Sequence, residues 1–414
     1  MIRSDVVKAC GLIVEYNPFH NGHLHHLEAS REHSGAECMI AVMSSQFLQR
    51  GEPSIMDKWH RASAALASGV DLVVELPHLF AVEHSDYFSK GAVLTLRELG
   101  VDAICFGSEH GDIQSFKNAV TTYLQQQHTF DSALKKGLAG GLSFPDAAKG
   151  AYEYIGLTGE MDTVDLSQPN NILGFGYVKQ ILNHSPEIAP LTIKRIQSHY
   201  HDETIDSNIA SATSIRKELF LGDQMTELAK ASMPESTTEL LQRYKQHTGS
   251  WHDWERYFPL LHYKLLTMSP SELREIHTVD EGLEYRLKKA VTDVDSFHAL
   301  MEQVKTKRYT WTRLQRMFVH IICNTKKKDA SDLLSLDRMP YVRVLGMNDV
   351  GQRYLRSIKK DMDVPLVTQL QQLDHPLLNV EERASGAYYS ALQGEKKNTL
   401  LKQELQPPIR IGQQ

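Results

Sequence analysis

Gly11-Leu-Ile-Val-Glu-Tyr-Asn-Pro-Phe-His-Asn-Gly-His-Leu24 is the stretch from which the fold can be read. Residues 6–14 are apolar apart from Lys8 and predict a buried parallel strand. Glu15 to Phe19 breaks that run, and Pro18 pushes Asn17 out of helical geometry. His20-Asn-Gly-His23 then opens a predicted helix that continues through residue 31. Residues three apart share a helix face, so both histidines sit together at the helix N-terminus. Unpaired N–H groups and a partial positive charge there suit a phosphate. Gly22 lets a base or ribose lie against the backbone, and imidazoles can donate to phosphate oxygens as charge builds on them. A zinc pair is disfavoured, because no cysteine or carboxylate triad lies nearby. No metal site is predicted.

Working outward, the chain has 414 residues, 41% hydrophobic and 23% charged, enough for more than one domain and a sizeable core. A net charge of −6 gives no global pull toward nucleic acid, so any RNA binding would have to come from local basic patches. No apolar run approaches the ~18 residues of a membrane span. The opening Met-Ile-Arg-Ser-Asp lacks a signal peptide's cleavage region, so a cytoplasmic location is expected. Cys10, Cys38, Cys105 and Cys323 have no CxxC spacing and read as reduced, buried thiols. Nothing marks an obligate protein partner.

Strand and helix alternate after the first helix. Residues 38–43 predict a second strand, 57–68 a helix capped by Asp57, and 71–77 a third strand stopped by Pro77. Residues 85–99 predict a helix ended by Gly100, and 103–106 a fourth strand running into Gly107. This rhythm predicts an α/β domain with a Rossmann-like doubly wound parallel sheet. Ligands of such sheets sit at the carboxyl ends of strands. The loops after the first, second and fourth strands are therefore the expected site, with Gln49, Arg50 and Glu52 in the second.

Residues 111–185 read as mainly helical, and Asn170 or Asn171 is expected to cap a helix. A fifth strand, 191–196, delivers Lys194 and Arg195. The loop through 198–202 then leads to Ile209-Ala-Ser-Ala-Thr-Ser-Ile-Arg216. Small hydroxyls at a helix start offer donors to phosphate, and Arg216 adds a fixed charge one turn in. From 220 strand-like runs vanish, so a catalytic domain at 1–220 and a mainly α-helical C-terminal region at 221–414 are expected. Lys305, Lys307, Arg308 and Arg313 interleave with Tyr309 and Trp311, and Lys326, Lys327 and Lys328 follow. Arg343, Arg353, Arg356, Lys359 and Lys360 form another basic group. Such groups are either solvated helix faces or surfaces that hold a phosphate backbone and stack on unpaired bases.

His20-Asn-Gly-His23 resembles the HxGH signature of the nucleotidyltransferase superfamily, and residues 209–216 resemble its Ser/Thr-rich phosphate motif. The longer string 11–24 resembles the bacterial tRNA(Met) cytidine acetate ligase family, with similarity over nearly the whole chain. The resemblance implies a ligase that uses ATP to activate acetate as acetyladenylate, releases pyrophosphate, and acetylates N4 of the wobble cytidine of elongator tRNA(Met). It makes His20 and His23 the catalytic residues. It assigns ATP binding to Ile13, Val14, Glu15, Tyr16, Asn17, Pro18, Phe19, His20, Asn21, Gly22, His23 and Leu24, and to Gly107, Asn171, Arg195, Ser211, Ser214 and Arg216. It gives tRNA binding to Lys305, Lys307, Arg308, Tyr309, Arg313, Lys326, Lys327 and Lys328. Mg2+ would bridge the ATP phosphates, with no dedicated carboxylate cage for it. The departure from the commoner Ser-Ser-Thr order leaves Ser211, Thr213 and Ser214 as alternatives for the phosphate-binding hydroxyl. Two other readings stay open: a nucleotidyltransferase making a dinucleotide cofactor or activated small molecule, and a non-catalytic RNA-binding protein. Residue chemistry alone reaches an ATP-using nucleotidyl-transfer site joined to a helical, locally basic region.

Overall fold

The apolar run after Lys8 is strand β1 (Ala9–Val14), and in the computed structural model it lies at the centre of a sheet. Residues 8–158, 163–195, 210–222 and 225–412 are described; Ile196, Ile209 and the expected loop 198–202 lie outside them. Strands β2 (Cys38–Ser44), β3 (Leu72–Leu76), β4 (Ala103–Ser108) and β5 (Ala189–Lys194) pair in parallel around β1, in the order β5-β4-β1-β2-β3. Alternate residues enter opposite cores. Cys10, Leu12, Met39 and Ala41 face one, and Ala9, Cys38, Ile40 and Val42 face the other. Burying one large aliphatic side chain is worth about 1.5–3 kcal/mol, which is why these strands are apolar on both faces.

The chain winds from β1 through β3 on one side, then crosses to β4 and β5 on the other. The strand order reverses between β1 and β4, so a crevice opens at their carboxyl ends. Helix α1 (Asn21–Ser34) leaves β1 there. Helix α2 (Lys58–Ala67) begins after Asp57, whose carboxylate accepts the His60 N–H at 2.9 Å. Helices α3 (Ser85–Glu98) and α4 (Pro169–His184) pack together on the far face.

The α/β sheet is as expected, but it is not wholly parallel, and strands do not vanish after residue 220. Strand β6 (Val342–Met347) pairs antiparallel with β3, and β7 (Leu366–Val367) and β8 (Ile409–Arg410) both pair with β6. Helices such as α5 (Ala212–Leu221) and α6 (Trp311–Ile322) dominate the rest. A division at 220 therefore cuts across one sheet and one shared core. Arg343 disguised β6 as part of a basic run. The structure corrects that grouping: Arg343 is buried and donates to Glu75 at 3.0 Å and Glu404 at 2.8 Å. Lys58, equally buried, pairs with Glu381 and Glu404 at 3.1 Å each. Two cations thus meet three carboxylates and tie α2 and β3 to the C-terminal half.

Candidate active site

The N-terminus of α1 is built by its own histidines. His20 is the cap: its Nδ1 accepts the Gly22 N–H at 3.0 Å. His23 reaches back, its Nδ1 accepting the His20 N–H at 3.3 Å. The two rings stack with centroids 3.7 Å apart. Burial, and then Arg195 and Arg216, pull the His20 pKa down to about 3; burial also holds His23 well below the ordinary value. Both rings are therefore neutral. Because each Nδ1 accepts, each proton sits on Nε2. The cap geometry thus leaves two Nε2–H donors for the cleft that both rings line.

That cleft encloses about 770 Å³. One end is cationic. Arg195 follows β5 and anchors its N–H on Ser108 O at 2.9 Å. Arg216, on α5, donates to Asn17 O at 2.9 Å and pairs with Glu52 at 3.2 Å. At Gly107 a Cβ would stand 3.4 Å from the Arg195 stem, so the bare backbone keeps room beside that cation. Phe106, Phe144, Tyr152, Leu166, Leu173 and Tyr177 also line the cleft and give it an apolar wall of the kind a nucleobase needs. The floor is fixed by buried Arg61, which donates to Glu15 O at 2.7 Å, Ser44 O at 3.0 Å and Ser45 O. Burial raises the pKa of the Glu15 carboxyl, whose Oε1 accepts the Gln49 N–H at 2.8 Å.

Gln49, Arg50 and Glu52 line the cleft as expected. Gly51 between them has φ 75°, and a Cβ there would lie 2.3 Å from Arg316 N. The loop therefore lies flush on α6, which brings Thr312 and Arg316 into the cleft from the C-terminal half. Neither residue was singled out from sequence, although Arg316 ends the basic–aromatic run.

Of the residues assigned to ATP, Ile13, Val14, Glu15, Tyr16, Asn17, His20, Gly22, His23, Gly107, Arg195, Ser211 and Arg216 line the cleft. The other six do not. Pro18 and Phe19 are buried behind it, and Leu24 packs on the core. Asn21 donates to Ala231 O at 2.8 Å. Asn171 is 2% exposed, and its Oδ1 accepts the N–H groups of Glu109 and His110 at 3.1 Å each. It shapes the loop after β4, while Asn170 lines the cleft. Neither asparagine caps α4; the Glu109 carboxylate does, accepting the Asn171 N–H at 2.8 Å. Ser214 is buried and donates to Ser211 O at 2.9 Å, leaving Ser211 and Thr213 as the hydroxyl residues facing the cleft.

The basic run 305–328 carries its own counter-charges. Arg308 pairs with Glu281 at 2.6 Å, Lys326 with Glu275 at 3.1 Å, and Lys327 with Asp280 at 2.6 Å. Tyr309 is 7% exposed, donates to Glu281 at 2.9 Å and lies under Arg313. Its ring face is therefore not open to stack on a base. Lys305, Lys307 and Lys328 are exposed.

Comparison with known proteins agrees with this geometry. Residues 7–404 match the family described as HIGH Nucleotidyl Transferase. A tRNA(Met) cytidine acetate ligase of Oceanobacillus iheyensis is 52% identical over 404 residues, covering 97% of this chain and 100% of the relative. The crystal structure of apo Thermotoga maritima TmcAL superposes with a TM-score of 0.90 at 30% identity, over 98% of this chain and 100% of that one. A second crystal form, bound with alpha-thio ATP, gives 0.88 at 30% identity over the same shares.

Proposed function

The chain belongs to the tRNA(Met) cytidine acetate ligase family of HIGH nucleotidyl transferases, and from that premise we propose that its cleft joins acetate to ATP and passes the acetyl group to the wobble cytidine of elongator tRNA(Met). An acetate oxygen attacks the α-phosphorus in line, the bond to the bridging oxygen breaks, and pyrophosphate leaves. The cytidine N4 amine then attacks the acetyl carbonyl, loses a proton, and releases AMP.

The observation that carries this reading is the pair of neutral imidazoles at the α1 N-terminus, flanked by Arg195 and Arg216. Two Nε2–H donors aimed at a phosphate stabilise charge that grows as pyrophosphate departs, without proton transfer. The guanidiniums hold the outer phosphates, and the work is positioning and neutralisation. Ser211 and Thr213 face the same anion. Mg2+ would accompany the nucleotide and bridge its phosphates; of the cleft carboxylates, Glu52 is held by Arg216 and Glu15 by the Gln49 amide. Arg316 and Gln49 stand on the wall where acetate and the cytidine enter. The tRNA lies along the C-terminal half, with Lys305, Lys307, Arg308, Arg313, Lys326, Lys327 and Lys328 toward its backbone and a cytoplasmic location in keeping with that substrate.

Oxygen-18-labelled acetate tests the chemistry. An acyl-adenylate leaves one labelled oxygen on AMP, whereas unlabelled AMP alongside acetylated tRNA excludes it.

A further inference from the structure

Behind the wall that carries Arg316 lies a cluster the ligase chemistry does not use. Glu83 follows β3, His277 lies in a turn of the C-terminal half, and His320 sits on α6. His277 Nε2 pairs with Glu83 Oε1, and His320 Nε2 lies 3.8 Å from the same oxygen. One donor atom from each falls within 4.8 Å of the others. Glu83 is 4% exposed and His320 is fully buried. Neither ring nitrogen of His320 has a hydrogen-bond partner among the described residues. A Glu83–His277 pair needs no third member, so it leaves the burial of an unpartnered imidazole unexplained.

We propose that Glu83, His277 and His320 form a divalent-metal site of the zinc class that clamps the α/β sheet domain to α6. Two imidazoles and one carboxylate are donors that zinc favours and that magnesium and calcium, with their all-oxygen shells, do not. The donors need only part slightly at the Glu83–His277 contact and close toward His320. A water would complete the shell from the side of His277, the partly exposed member. The anchors are themselves fixed: the His84 N–H donates to Glu83 Oε2 at 3.3 Å, and the His277 N–H to Thr325 O at 2.9 Å. Such outer bonds hold ligands in place around a metal. Arg316, His78 and His84 also face the cluster; burial lowers the pKa of both histidines, so Arg316 is the cation among them, and the Glu83 charge offsets it. Arg316 stands one turn before His320, and His84 adjoins Glu83; both line the cleft. The metal's role is to set the distance between those two groups.

Tag-free protein is equilibrated with zinc chloride at buffered free concentration and assayed for bound metal, with cobalt(II) as an optical probe. The wild type is expected to hold one zinc per chain, to gain thermal stability from it, and to give a four-coordinate cobalt spectrum. His320→Ala and the milder His277→Asn should weaken zinc binding by at least about 100-fold, while His23→Ala keeps the metal. Absence of zinc from the wild type at micromolar free metal overturns the proposal. So does a six-coordinate cobalt spectrum, or zinc that survives both cluster variants and leaves with His23→Ala. If His320→Ala does not fold, His277→Asn and the wild-type spectrum still decide.

Discussion

His20 holds two duties that one substitution can separate. Its Nδ1 caps α1 by accepting the Gly22 N–H, and its Nε2–H faces the cleft. Asparagine is among the best N-caps, so His20→Asn keeps an acceptor for that N–H while removing the ring donor. His20→Ala removes both. The cap alone is worth about 0.5–2 kcal/mol, so the alanine variant should lose that much stability and the asparagine variant only a few tenths. A pre-positioned donor to developing transition-state charge is worth about 2.7–4 kcal/mol, or a factor of about 10²–10³ in rate. Both variants should therefore release pyrophosphate from ATP and acetate some hundreds-fold more slowly, with matched circular dichroism and, for His20→Asn, a wild-type melting point. Binding of tRNA, measured by filter retention, should not change. A His20→Asn enzyme within about fivefold of wild type, equivalent to ~1 kcal/mol, would show that the ring does not act on the reaction.

Buried neutral histidines set the acid side of stability. Burial pulls His20, His78 and His252 down to about 3 and His26 to about 4, against 6.5 when unfolded. Between those values the unfolded chain binds more protons, so stability is complete above 6.5 and declines as pH falls. A melting point that stays flat from about pH 7 to 5 refutes this. Gly51→Ala forces a Cβ onto Arg316 N at positive φ, which should cost about 1–3 kcal/mol from overpacking plus about 1 for the backbone; denaturant unfolding unchanged from wild type would mean the loop does not rest on α6. Arg343→Met strands Glu75 and Glu404 and should cost about 3–5 kcal/mol in the same assay, and a neutral result would remove the cluster from the fold's support. Lys307→Ala and Lys328→Ala should each reduce the salt slope of tRNA binding by about one, whereas Arg308→Ala, already paired with Glu281, should change it less. Slopes unchanged from wild type in all three would place the RNA elsewhere.

The parts legible in sequence are those where local chemistry and tertiary role coincide. Residues 9–14 had to be a buried strand, and Asp57 and the Gly–His pairing at 20–23 had to start helices, because nothing in the rest of the chain competes with those signals. Arg195 and Arg216 were legible because a cation at a strand or helix terminus points one way. Strand β6 was hidden because Arg343 reads as surface charge until Glu75 and Glu404, far away in sequence, are seen beside it. Asn171 was assigned to the nucleotide because a polar helix start looks alike whether it faces a ligand or the loop behind it. Tyr309 read as a stacking platform because its neighbours are basic, yet Glu281 and Arg313 enclose it. Arg316, Thr312 and the Glu83–His277–His320 cluster depend on how α6 docks against the loops after β2 and β3, and no spacing along the chain encodes that docking.

The decisive measurement is mass analysis of nucleosides from elongator tRNA(Met) incubated with the pure protein, ATP and acetate. N4-acetylcytidine at the wobble position, formed only when both ATP and acetate are present and matched by equal amounts of AMP and pyrophosphate, is the expected result. Unmodified cytidine from an enzyme that still consumes ATP with acetate would contradict the acceptor, and no ATP use at all would contradict the cleft's assignment.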